Sequence, residues 1–119
     1  MIRFLHTSDW QLGMTRHFLS EGAQERYSQA RFDAIRTIGR VAKDEKCQFV
    51  LVCGDAFESN QVHRKTVARA MEALKEVSVP VFILPGNHVS GTLLHTLHCG
   101  KGTLLKIIKI VVCIVWGVW

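Results

Sequence analysis

Apolar residues along this chain come in two arrangements that alternate. Short unbroken runs are separated by longer stretches in which apolar positions recur every three or four residues. The opening "MIRFLH" has β-branched and aromatic character and predicts a first strand ending near His6. In "GAQERYSQARFDAIRTIGRVAKDEK" the positions Tyr27, Ala30, Ala34, Ile35, Ile38, Val41 and Ala42 form the stripe of an amphipathic helix, and the charged remainder suits a solvated face. "CQFVLVCGD" is a continuous apolar run stopped by Gly-Asp, as expected of a strand covered on both faces in a parallel sheet. "SNQVHRKTVARAMEALKEV" predicts a second helix with Ser59 or Asn60 as N-cap and with Val67, Ala70, Met71, Leu74 and Val77 on one side. "VPVFILPGNH" closes the series as a third strand ended by Pro-Gly.

The order β-α-β-α-β predicts an α/β fold with a parallel sheet and right-handed crossovers. Ligands of such sheets bind outside the carboxyl ends of the strands. All three predicted strands end in groups suited to chemistry: Asp9, Asp55, and Asn87 with His88.

After His88 the pattern breaks. Residues 89–119 contain no Asp, Glu or Arg, where ordinary usage predicts roughly four acids. The chain thus divides into a body, 1–88, and an atypical apolar tail, 89–119. The uninterrupted apolar run from Ile110 to Trp119 is half of the ~20 residues a membrane-spanning helix needs, so no transmembrane segment is expected. Its β-branched residues suit a buried strand, and its lysines and tryptophans a peripheral membrane contact. The abrupt break favours a third reading, an altered or out-of-frame end on a truncated domain, and an exposed end of this kind invites aggregation.

Length and composition narrow the picture further. With 119 residues there is room for one small domain that buries about 65% of its unfolded surface. Cys47, Cys53, Cys99 and Cys113 include no C-x-x-C pair, and no charged leader precedes an apolar stretch, so reduced thiols in a cytoplasmic protein are expected. The net charge of +5 is mostly a property of the tail: residues 1–88 hold 12 Lys and Arg against 10 Asp and Glu, whereas 89–119 hold three lysines and no acid. The charge of the body is therefore no argument for a nucleic-acid-binding face.

The strand-end motifs, Asp9 in "FLHTSDWQLG", Gly54-Asp55 in "VCGDAFESN" and Gly86-Asn87-His88 in "LPGNH", stand in register with a helix between each pair. Together they resemble the calcineurin-like metallophosphoesterases, and their wording is most similar to the DNA-repair exonuclease branch, the SbcD-type nucleases that work beside an SMC-like ATPase. The resemblance covers residues 1–88. It implies the N-terminal half of a sheet sandwich, two divalent metal ions (manganese, with magnesium as the alternative), DNA as substrate, an SMC-like ATPase subunit as partner and a homodimer in the complete protein. Hydrolysis of a phosphodiester at neutral pH needs an activated water and neutralisation of transition-state charge, and two ions about 3.5–4 Å apart supply both.

Carried over by resemblance, Asp55 bridges the two ions, Asp9 is a ligand of the first, Asn87 a neutral oxygen ligand of the second, and His88 a transition-state stabiliser or proton donor. Gln11 stands where the family pattern has a first-metal histidine. An amide oxygen suits a hard ion but is a poorer ligand than imidazole for zinc or iron, which predicts a weaker or metal-shifted first site. Val89 replaces an aspartate that usually supports the histidine, and the family's later histidine ligands lie beyond this stretch of chain. His95 and His98 fit none of those contexts and take no metal role. Each residue also has a plainer reading: Asp9 and Asp55 as turn residues, Asn87-His88 as an exposed turn, Trp10 as packing at a strand end, and His6, His17 and His63 as ordinary polar residues. A truncated, weakly active or inactive phosphodiesterase is therefore the expectation. Its alternatives are a non-catalytic metal- or partner-binding module and a metallophosphoesterase acting on nucleotides or phosphoproteins.

Overall fold

The computed structural model describes residues 1–59, 61–84, 86 and the strand 105–107. In chain order its elements are β1 (Phe4–Ser8), α1 (Glu21–Asp44), β2 (Phe49–Cys53), α2 (Arg64–Lys75), β3 (Val81–Leu84) and β4 (Leu105–Ile107). The strands form one sheet in the order β1-β2-β3-β4, with every pair parallel. Register matters for function here. Ser8 pairs with Cys53 and Cys53 with Leu84, so the first three strands finish level and Asp9 and Asp55 follow along one edge.

Alternation within the strands decides which face is packed. Val50, Val52, Val81 and Ile83 point to the helices and are buried against Phe32, Ile35 and Ala42 of α1 and Ala70, Ala73 and Leu74 of α2. Each fully buried side chain of this size contributes about 1.5–3 kcal/mol. The opposite face of the sheet carries Phe4, 48% exposed, stacked on Phe49 at 5.0 Å, with Phe82 edge-on to Phe49 at 5.5 Å. Among the described residues this face is only partly covered, with Phe49, Leu51 and Cys53 of β2 half-buried on it.

Both helices differ from their sequence reading in detail. The buried stripe of α1 is Phe32, Ile35, Gly39 and Ala42, whereas Ala30, Ala34 and Val41 are exposed. The stripe is rotated because Phe32 is the largest apolar side chain of α1 and Gly39 lets Val77 close in, a steric fit that apolar counting does not register. The helix ends in a Schellman turn without glycine: Cys47 N–H donates to Ala42 O at 2.8 Å and Lys46 N–H to Lys43 O at 3.1 Å, with Lys46 at φ 54°. For α2 the N-cap is His63, with no side-chain cap; Ser59 instead accepts a bond from the Gln61 amide at 3.3 Å, and Asn60 lies outside the described residues. Residues 105–107, inside the stretch set apart by composition, pair with β3 as the fourth strand, Val81 opposite Leu105 and Ile83 opposite Ile107.

Candidate metal centre

The loop after β1 turns sharply because Asp9 and Gln11 both adopt left-handed backbone, at φ 50° and 46°. Non-glycine residues enter this region rarely, and at a cost of about 1 kcal/mol or more each. What holds them is a second, shorter zipper beyond the strand ends. Gln11 N–H donates to Asp55 O at 2.9 Å, Leu12 N–H to Ala56 O at 3.0 Å and Glu58 N–H to Leu12 O at 3.1 Å, while Leu12, Ala56 and Phe57 are buried beneath. The Gln11 and Asp55 backbones therefore lie side by side.

The carboxylates reach across the strand ends, and two glycines make the room. A Cβ on Gly54 would stand 3.2 Å from Asp9 Oδ1, and Gly54 itself has φ +93°. A Cβ on Gly86 would stand 2.0 Å from Asp55 Oδ1 and 2.6 Å from the Asp55 amide nitrogen. Asp9 thus leans over the end of β2 and Asp55 over the end of β3. Two fixed carboxylates at the rigid edge of a sheet are a hard-oxygen donor set, suited to manganese or magnesium rather than to a soft ion. No cluster of three or more His, Cys, Asp or Glu occurs among the described residues, and Asn87 and His88 lie outside them. The structure therefore brings together Asp9, Asp55 and the Gln11 backbone of the residues singled out by sequence.

The remaining candidates take ordinary places. His6 lies exposed on β1, His17 exposed in the turn before α1, and His63 exposed at the start of α2. Trp10 is half-buried at the strand end, its indole N–H donating to Thr7 Oγ1 at 3.1 Å. Cys47 and Cys53 are free thiols, and burial pushes the Cys53 thiol up from its ordinary pKa. A cleft of about 600 Å³ opens between α1, α2 and the loop at Leu12–Thr15, but its walls include neither Asp9 nor Asp55.

Sequence reasoning missed Arg31. From the middle of α1 its guanidinium donates to the Trp10 carbonyl and to the Tyr27 hydroxyl, and it lies 4.7 Å from the centre of the Tyr27 ring. The Arg31 guanidinium, with Arg16 beside it, holds the Tyr27 phenol below its ordinary pKa. The i, i+4 spacing of Tyr27 and Arg31 was visible, but their aim at the β1 loop was not.

The family model for calcineurin-like phosphoesterases matches residues 2–106, a span that extends beyond residue 88 and reaches into β4. The SbcD component of the SbcCD nuclease of Bacillus subtilis is 32% identical over 93 residues, covering 73% of this chain and 22% of that protein. The DNA double-strand break repair protein Mre11 of Methanococcus maripaludis is 32% identical over 90 residues, covering 73% of this chain and 23% of that protein, and its namesake in Methanosarcina acetivorans is 34% identical over 92 residues, covering 75% and 14%. The chain spans less than a quarter of the length of these curated relatives. With the parallel sheet and the level strand ends, the match over residues 2–106 establishes that the chain belongs to the calcineurin-like phosphoesterases.

Proposed function

We propose that this chain carries the first part of a two-metal phosphodiesterase centre of the DNA-repair nuclease type. The observation that carries the reading is the placement of the Asp9 carboxylate over Gly54 and of the Asp55 carboxylate over Gly86, on strand ends held level by register. In it Asp9 and the Gln11 amide oxygen would hold a first divalent ion, Asn87 a second, and Asp55 would serve both. His88 would stabilise charge on the reacting phosphate or give a proton to the leaving oxygen. When bound, two divalent ions supply an activated water and neutralise the developing charge. Manganese is the ion proposed, since every named ligand offers oxygen.

An SMC-like ATPase subunit as partner is what the resemblance of the strand-end motifs implies, and DNA as substrate is supported by the relatives. One is named as a subunit of a nuclease complex and two as double-strand break repair proteins. A cytoplasmic setting belongs with this reading, supported by the free thiols at Cys47 and Cys53. Among the described residues no helix is long and apolar enough to cross a membrane.

The test is Mn²⁺ binding and Mn²⁺-dependent cleavage of DNA by the chain and by Asp55→Ala. Measurable binding that Asp55→Ala abolishes, with weak or no turnover, is expected. Binding unchanged in Asp55→Ala overturns the centre, and robust turnover lost in that variant overturns its incompleteness. Gln11 in place of a histidine favours a second reading, a non-catalytic module whose sheet serves a partner, which predicts partner association without turnover in any divalent ion.

A further inference from the structure

We infer that Arg31 is the positioning residue of this metal centre, acting through the Trp10 peptide; the inference rests on the proposed reading of Asp9 and Asp55. Trp10 sits between the two left-handed residues, Asp9 and Gln11, so its carbonyl is the point at which their shared turn can be gripped. Arg31 Nη1 donates to that carbonyl from α1, while Nη2 donates to the Tyr27 hydroxyl and the guanidinium plane lies over the Tyr27 ring. The loop is thereby tied to the middle of a 24-residue helix.

Two further observations separate this from ordinary helix-to-loop packing. Among the described residues Arg31 Nε is buried without a hydrogen-bond partner, a placement that costs stability and that a surface arginine avoids by moving into solvent. Arg31 also shares with Asp9, Thr7 and Trp10 the walls of a cavity of about 210 Å³ directly behind the carboxylate-bearing turn. The planar fork meets two acceptors at once, which a lysine ammonium on its flexible stem does not reproduce. A fixed cation behind the turn keeps Asp9 aimed across Gly54 and keeps the Gln11 amide on the Asp55 carbonyl.

The experiment compares wild type with Arg31→Met and Arg31→Lys by amide hydrogen exchange and Mn²⁺ titration followed by electron paramagnetic resonance. In Arg31→Met, exchange at the Gln11 and Leu12 amides is expected to accelerate at least about tenfold while the Val50 and Val52 amides keep their protection. Mn²⁺ affinity is expected to fall about tenfold, with Arg31→Lys between the two. Exchange that rises equally at all four amides reduces Arg31 to general packing and overturns the inference. So does Mn²⁺ affinity unchanged in Arg31→Met while wild type binds. Wild type that takes up no Mn²⁺ overturns the metal centre itself, and with it the role of Arg31 there. Should Arg31→Met not fold, Arg31→Lys is read by the same criteria.

Discussion

At the residue scale the site depends on atoms that are absent. Gly86 presents only a hydrogen where the Asp55 carboxylate passes, and a methyl group 2.0 Å from Oδ1 and 2.6 Å from the Asp55 backbone nitrogen has nowhere to go. The backbone side of that contact cannot swing aside as a side chain would. Gly86→Ala is therefore expected to displace Asp55, to cost about 1–3 kcal/mol of stability by overpacking, and to abolish Mn²⁺ binding. A calorimetric Mn²⁺ titration beside thermal unfolding checks it, and retained affinity would show that Asp55 tolerates the shift. Asp9 and Asp55 were legible as strand-end residues because each follows a predicted strand by one to three positions and the motifs recur in the same place on successive strands. Gly54 and Gly86 were legible as motif letters, but their role as clearance for carboxylates belongs to the three-dimensional arrangement. Arg31 was not legible, because a basic residue in a charged helix is usually a solvated one.

At the element scale, α1 is placed by a glycine in its interior. Gly39 faces Val77, whose Cγ2 would be 2.9 Å and whose Cα 3.2 Å from an added Cβ. Alanine gains roughly 1 kcal/mol of helix propensity at such a position. Overpacking against a backbone carbon costs about 1–3 kcal/mol, so Gly39→Ala is expected to destabilise by about 1 kcal/mol net. Chemical denaturation reads this directly, and a stabilised variant would mean that α1 slides on the sheet without strain. The periodicity of α1 predicted a helix but rotated its face, since the stripe counted Ala30, Ala34 and Val41 and left out Phe32, which the structure buries. The Schellman ending at Lys46 was hidden for a related reason: its signal is usually glycine, and here a lysine takes the left-handed position.

At the scale of the molecule, two helices and a four-stranded parallel sheet leave one face of that sheet open among the described residues. Parallel sheets are ordinarily covered on both faces, and Phe4, Phe49 and Phe82 form an aromatic row across the open one. Through the exposed Phe4 ring the chain is expected to self-associate at micromolar concentration and to bind an apolar dye. Phe4→Lys, at the most exposed of the three rings, is expected to shift sedimentation toward monomer without altering the far-ultraviolet spectrum. Sedimentation unchanged by Phe4→Lys would place the association elsewhere.

The sequence by itself determined the element order, the parallel α/β class and the strand-end positions of Asp9 and Asp55. These follow from local periodicity and from breakers adjacent in the chain. Only the tertiary structure decided that Ser8, Cys53 and Leu84 stand level, that Gly54 and Gly86 open the path of the carboxylates, and that Arg31 reaches the Trp10 carbonyl 21 positions away. Register, clearance and reach are distances between segments remote in sequence. Packing sets them, and no window along the chain contains both partners.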